Sequence, residues 1–243
     1  MSKVEDAAKT KSKAKPKPKA KGQNKIGQVM RNKGLSTRRR IIDQTMLLLR
    51  ETPAHRLSSA DVARACGLTP PALYLYFAGV PEVVLARLEE IMTLRHPYMD
   101  MLEEPWPETQ LWDRARRFVR AYAAYWQEYE VALHYRNLMS EQGDERFMRM
   151  RVEMTKPIGK RLEQRVADSQ QSGFIPKELS VPETAGAALS LVDHCAATAS
   201  SPYGSFGDSR WDRDRFLDAA AFMLIGMVRG KYSSDEEAAA AAG

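Results

Sequence analysis

A chain of 243 residues with 44% hydrophobic and 28% charged side chains is long enough to bury a sizeable core. Two cysteines, Cys66 and Cys195, exclude a disulfide scaffold, and no apolar run approaches the 18 or so residues that would span a membrane. The charged N-terminus has no apolar stretch behind it, so it does not read as a secretion signal, and a cytoplasmic protein is expected.

The net charge of +6 averages two opposites. Residues 1–40 hold 14 of the 37 Lys and Arg against only Glu5 and Asp6, a net of +12, while the rest of the chain is net −6. The basicity therefore belongs to an arm. The run KTKSKAKPKPKAKGQNK has no large apolar residue, and Pro16 and Pro18 break any helix, so residues 1–34 are expected to be disordered. Such an arm is either a solubilising tail or a phosphate-tracking segment that settles on DNA. It has no Phe, Trp or Leu to insert between lipids, which argues against a membrane role.

The first helix starts at Ser36 or Thr37, with Ile41, Ile42, Thr45, Leu48 and Leu49 as its apolar stripe. Arg38, Arg39 and Arg40 crowd its first turn, where the helix dipole disfavours cations unless an anion is close. A DNA phosphate would relieve that. Next comes Ser58 with Asp61, a capping box that opens a short helix containing Val62, Ala63 and Cys66; Gly67 supplies its turn. Thr69 is a second N-cap and Pro70 occupies the first helical position. Leu73 and Phe77 share one face of this next helix, and Thr69, Ala72 and Tyr76 another. A helix, a tight turn and a second helix with an outward polar and aromatic face make a DNA-reading device.

The run DVARACGLTPPALYLYF resembles the helix-turn-helix of the TetR family of bacterial repressors at Asp61, Ala63, Gly67, Leu73, Tyr74, Tyr76 and Phe77. The family usually carries a phosphate-touching Lys three residues after the Phe; here that position is Val80. The resemblance implies a helix-turn-helix domain over residues 35–80, followed by a helical ligand-binding and dimerisation domain over 81–231 and a low-complexity tail from 232 to 243. The candidate DNA-contacting residues are Arg38, Arg39, Arg40, Ser58, Ser59, Thr69, Pro70, Pro71, Ala72, Tyr74 and Tyr76. The recognition helix, TPPALYLYF, has no Arg, Lys, Asn or Gln for bidentate base contacts. It is therefore expected to position the protein more than to specify sequence, with Pro71 and Ala72 touching thymine methyls.

A linking helix follows the helix-turn-helix, and from about Pro107 every signal is helical. Pro81 opens that linking helix, which should run to about His96-Pro97. Two further helices lie in LWDRARRFVRAYAAYWQEY and VALHYRNLMSEQ. A long one follows to Gly173, with Pro157 as a kink, and the segments VPETAGAALSLVDHCAATAS and WDRDRFLDAAAFMLIGMVRG supply the last two. The expected fold is all-α, about nine helices in two domains. Small residues in the last pair, Ala185, Ala188, Ala196, Ala219, Ala220 and Gly226, serve either packing within the subunit or a four-helix dimer interface. The resemblance favours the dimer, and so does the logic of reading a palindrome with a two-fold pair.

Trp112, Phe118, Tyr122, Tyr125, Trp126, Tyr129 and Tyr135 fall within 24 residues, with Met148, Met150 and Met154 in the next long helix. Singly these read as core; together they suggest an apolar pocket with a few polar groups. This part also resembles, diffusely, the ligand domain of the family's ethionamide-resistance regulator. That implies a channel along Trp112, Ala115 and Val119, with Ser190 and Asp193 as polar lining. The full candidate set adds Tyr122, Trp126, Met154, Ile158 and His194, and the expected occupant is an apolar small-molecule effector.

An enzyme is not expected. His55, His96, His134 and His194 show no metal-ligand spacing, and no CxxC, GxSxG, Walker or Rossmann motif is present. Neither metal nor cofactor is expected. The reading is a homodimeric repressor that binds double-stranded DNA and is released by a small ligand. The alternative is a low-specificity nucleoid-type binder dominated by the lysine arm.

Overall fold

The computed structural model describes residues 32–201 and 211–229. The basic arm up to residue 31 and the tail from residue 230 lie outside the described residues. Within them the chain is all-α, with ten α-helices and one 3-10 turn and no strand.

Helix α1, Asn32–Glu51, starts earlier than Ser36. It buries Ile41, Ile42 and Thr45, whose hydroxyl donates back to the Ile41 carbonyl at 2.7 Å. Helix α2, Ser59–Ala65, has the expected capping box between Ser58 and Asp61, and Gly67 turns the chain at φ +61°, a conformation that favours glycine. Helix α3, Pro70–Tyr74, is only five residues long and is capped by Thr69. Leu57, Val62, Ala63, Cys66, Leu73 and Phe77 close the small core of this unit with α1.

Helix α4, Val80–Met92, is the link to the body. It stops at Thr93, short of the expected His96-Pro97, and a separate helix α5, Pro97–Glu103, follows. This tenth helix departs from the expected nine because Pro97, which can end one helix, here occupies the first turn of another. The Arg165 guanidinium anchors the segment behind α5, donating to the carbonyls of Leu102 and Glu104 at 2.7 Å and lying 4.1 Å from the Trp106 ring centroid.

After the 3-10 turn Glu108–Gln110 come α6, Leu111–Glu128, and α7, Glu130–Glu141. The long α8, Glu145–Gln171, runs through Pro157 and is closed by Gly173 at φ +78°. Helices α9, Val181–Ser200, and α10, Arg213–Arg229, complete the body. The core sits where α6, α8, α9 and α10 pack on one another, with α7 against α8 and α4 bridging to α7. Polar ties fix the layers. Arg116 on α6 holds Asp218 on α10 bidentately at 2.9 and 3.1 Å, and the buried Ser169 hydroxyl donates to the Val228 carbonyl at 2.6 Å.

Candidate DNA interface and ligand cavity

The helix-turn-helix presents a small, mostly uncharged face. Pro70, Pro71 and Thr69 are exposed, Tyr74 is 45% exposed, and Ala72 and Tyr76 are half-buried. Leu75, missed as a candidate, stands out at 52% exposure beside Tyr74. Thr69 is engaged as a cap, its hydroxyl accepting from the Ala72 amide at 3.4 Å. Ser58 is likewise used by the capping box, accepting the Asp61 amide at 3.2 Å, which leaves Ser59 as the less committed hydroxyl of the pair.

The arginines of α1 do not sit where expected. Because the helix begins by Asn32, Arg38, Arg39 and Arg40 lie beyond its first turn, and the frustration argued from the dipole does not arise. Two of them already have an anion, Glu90 on α4. Arg39 donates to Glu90 at 3.1 Å and to Asp43, Arg38 lies 4.0 Å from Glu90, and Arg87 reaches Glu90 from its own helix at 3.1 Å. Arg38 also stacks over the Phe77 ring, 5.0 Å from its centroid. Arg40 is exposed.

In the body, Tyr122 and Trp126 converge on Asp193. The Tyr122 hydroxyl donates to Asp193 Oδ1 at 2.7 Å and the Trp126 indole N–H to the same oxygen at 3.1 Å; Arg151 lies 3.7 Å from Oδ2. All of Tyr122, Trp126 and Asp193 are buried, so this is a satisfied polar network. Beside it lies a cavity of about 320 Å³ between the end of α4, α5 and the middle of α8. Ile91, Leu94, His96, Tyr98, Met99, Tyr125, Met154 and Pro157 line it, with Arg95, Asp100, Glu103 and Glu153 among its polar walls. Its aromatic wall is tightly interlocked: Tyr98 packs edge-on to Tyr122 and Tyr125 at 5.0 Å, and His96 to Tyr125 at 4.6 Å. Burial pushes the Tyr98 phenol up to about 12 and raises Tyr122 and Tyr125 further.

Several sequence candidates lie elsewhere. Ala115, Val119 and Ile158 are closely packed core, and Trp112 is half-buried with Arg116 against its ring, 5.4 Å from the centroid. None of them lines the cavity beside Asp193. Ser190 is exposed and its hydroxyl turns back to the Gly186 carbonyl at 2.9 Å. His194 faces away from its neighbour Asp193 and lines a different, open cleft of about 1170 Å³ between the end of α1, α7 and α9. Of the predicted set, Tyr122, Trp126, Asp193 and Met154 come together at or beside the cavity. The cavity residues absent from that set include Tyr98 and His96, which lie at the start of α5.

The small residues of α9 and α10 divide between both readings. Ala185, Ala188, Ala196 and Ala220 are buried inside the subunit. The outer face is formed instead by Gly186, Ala187, Ser190 and His194 on α9, with Ala219, Phe222, Met223 and Gly226 on α10. Phe222 is 59% exposed and Met223 45%, flanked by residues small enough for another helix to approach.

The sequence matches the family model described as bacterial regulatory proteins, tetR family, over residues 41–86, and that of the tetracyclin repressor-like C-terminal domain over residues 100–217. Together the two span well over half of the chain. It belongs to the TetR family. The chain is thus a DNA-binding transcriptional regulator. Solved structures show the same fold at low identity. The fatty acid degradation regulator FadR from Bacillus halodurans is 16% identical, with 80% of this chain and 97% of that one covered at a TM-score of 0.56. FadR from Bacillus subtilis, in complex with stearoyl-CoA, is 17% identical over 79% and 98% of the two chains at 0.54. AibR, in complex with isovaleryl coenzyme A and operator DNA, is 17% identical over 80% and 98% at 0.56. No protein of curated function matches in sequence.

One departure from the TetR pattern has a structural reason. Val80, where the family usually has its phosphate-touching Lys, is in the first turn of α4 and only 6% exposed, so it serves the core. The described residues hold no helix long and apolar enough to cross a membrane and no cluster of metal-ligating side chains.

Proposed function

We propose that this TetR-family regulator is a cytoplasmic homodimeric repressor that leaves a palindromic operator when a small, largely apolar ligand enters the cavity beside Tyr125. The supporting observation is a continuous run of contacts from that cavity to α1. His96 packs against Tyr129 at 5.6 Å, Arg87 lies over the Tyr129 ring at 5.6 Å, and Arg87 shares Glu90 with Arg38 and Arg39. A ligand wedged beside His96 would move the end of α4, and with it the arginines that flank the recognition unit. This is allosteric only if the ligand prefers the state that binds DNA less well. FadR from Bacillus subtilis is solved with stearoyl-CoA and AibR with isovaleryl coenzyme A, which adds weight to a sensory cavity. The exposed Phe222–Met223 face supplies the dimer, and two copies of α3 then read two half-sites.

The deciding experiment selects binding sites from a random duplex pool with the purified full chain at physiological salt. The expected result is one palindrome with half-sites about one helical turn apart. A bound pool with no shared sequence would instead favour the nucleoid-type binder and its lysine arm.

A further inference from the structure

We propose that the effector is an organic carboxylate, an apolar acid whose carboxylate pairs with the buried Arg136 guanidinium and takes hydrogen bonds from the Tyr98 and Tyr125 hydroxyls. This rests on the reading of the aromatic cavity as the ligand site. Arg136 projects from α7 and is 1% exposed. Its Nε and Nη2 donate to Asn137 Oδ1 at 3.0 and 2.9 Å, and its Nη1 is left with the Met154 sulfur at 3.6 Å. Both partners are neutral, and a thioether is a weak acceptor. Among the described residues no carboxylate comes within 4 Å of this guanidinium.

The nearby buried carboxylate, Asp193, is already taken by Tyr122, Trp126 and Arg151. Two guanidiniums therefore stand against one carboxylate, and the one that is sealed from water is the one without an anionic partner. A buried charge in that state is costly and is relieved by an anion. The cavity offers the place. Met154 lines it, so the side chain whose sulfur accepts from Nη1 also borders the open space. A methionine side chain swings aside easily, and a carboxylate oxygen is a far better acceptor. Tyr98 and Tyr125 also line the cavity, and their hydroxyls have no hydrogen-bond partner among the described residues. Both phenols feel the positive charge of Arg136. The carboxylates at the cavity's outer edge are neutralised: Asp100 by Arg95, Glu103 by Arg161 at 2.8 Å, and Glu153 by Lys156 at 3.9 Å. Ile91, Leu94 and Met99 leave an apolar lining for the body of the acid.

The test follows thermal unfolding of the full chain with octanoate and phenylacetate and with their neutral primary amides, alongside fluorescence of Nile red, an uncharged apolar dye. The acids should raise Tm by about 3–6 °C at roughly ten times their dissociation constant, and the amides should not. Arg136→Met should lose the response to acid while remaining at least as stable as the parent without ligand, because it replaces an unpaired buried cation by an apolar chain. Should that variant fail to fold, Tyr98→Phe with Tyr125→Phe keeps both rings and must still weaken acid binding at least about tenfold. Amides that match the acids, or Nile red bound and displaced by amides alone, would overturn the carboxylate and leave the cavity as a site for neutral ligands. No dye binding and no response to any acid would overturn the cavity itself.

Discussion

Arg39 on α1 and Glu90 on α4 are 51 residues apart in sequence and joined side chain to side chain at 3.1 Å. With Arg38 at 4.0 Å and Arg87 at 3.1 Å, the single Glu90 carboxylate collects three guanidiniums, two from the DNA-binding unit and one from the linking helix. If Arg38 and Arg39 contact operator phosphates, Glu90 competes with those phosphates for them. Glu90→Gln should therefore raise affinity for any duplex several-fold and steepen its salt dependence by up to about one unit per freed arginine. Fluorescence anisotropy across a salt series reads both. Weaker binding to every duplex would show that Glu90 acts by orienting the arginines.

Asp193 is the acceptor for two buried donors and the counter-charge for Arg151. Asp193→Ala leaves the Tyr122 hydroxyl and the Trp126 N–H without partners and deepens the positive excess around Arg136. A loss of about 3–5 kcal/mol in unfolding free energy is expected from denaturant titration. A loss below about 1 kcal/mol would mean that water or a neighbouring side chain takes over.

Alkaline pH should destabilise the body. Burial raises the Tyr98 phenol to about 12 and those of Tyr122 and Tyr125 higher still. The folded state thus keeps protons that the unfolded chain gives up near pH 10. Stability is whole below about pH 10 and falls as pH rises through the folded values. Tyrosinate absorbance should show these three phenols ionising only with loss of helical circular dichroism. Ionisation of all nine tyrosines near pH 10 in a still-folded chain would contradict it.

Phe222 and Met223 are the largest exposed apolar groups on the outer face of α9 and α10. Phe222→Asp should convert the dimer to monomer in light scattering and lower affinity for a two-half-site duplex far more than for a single half-site. An unchanged dimer mass would move the interface elsewhere.

The outward face of α3 offers Pro71, Ala72, Tyr74 and Leu75. Replacing operator thymines by uracils should weaken binding about fourfold for each methyl buried, at about 0.8 kcal/mol per methyl. Equal affinity for both duplexes would remove methyl contact as a source of specificity.

Wherever neighbouring residues settle the matter, the sequence alone determined this protein. The capping box at Ser58 and Asp61, the turn at Gly67 and the cap at Thr69 depend on residues a few positions apart, and each forms as read. Helical periodicity likewise gave α6 to α10 to within a few residues, because a core-facing stripe repeats along one element. Proline was ambiguous at Pro97, since the same residue closes one helix and opens another. The tertiary structure decided everything that joins distant segments. Only packing turned Ser190 and His194 outward, packed Ala115 and Val119 into solid core, and gave Arg38 and Arg39 their anion in Glu90. Only packing sealed Arg136 against Met154 and Trp126 with no carboxylate within 4 Å among the described residues, because side chains distant in sequence become neighbours through helix crossings that no local pattern encodes.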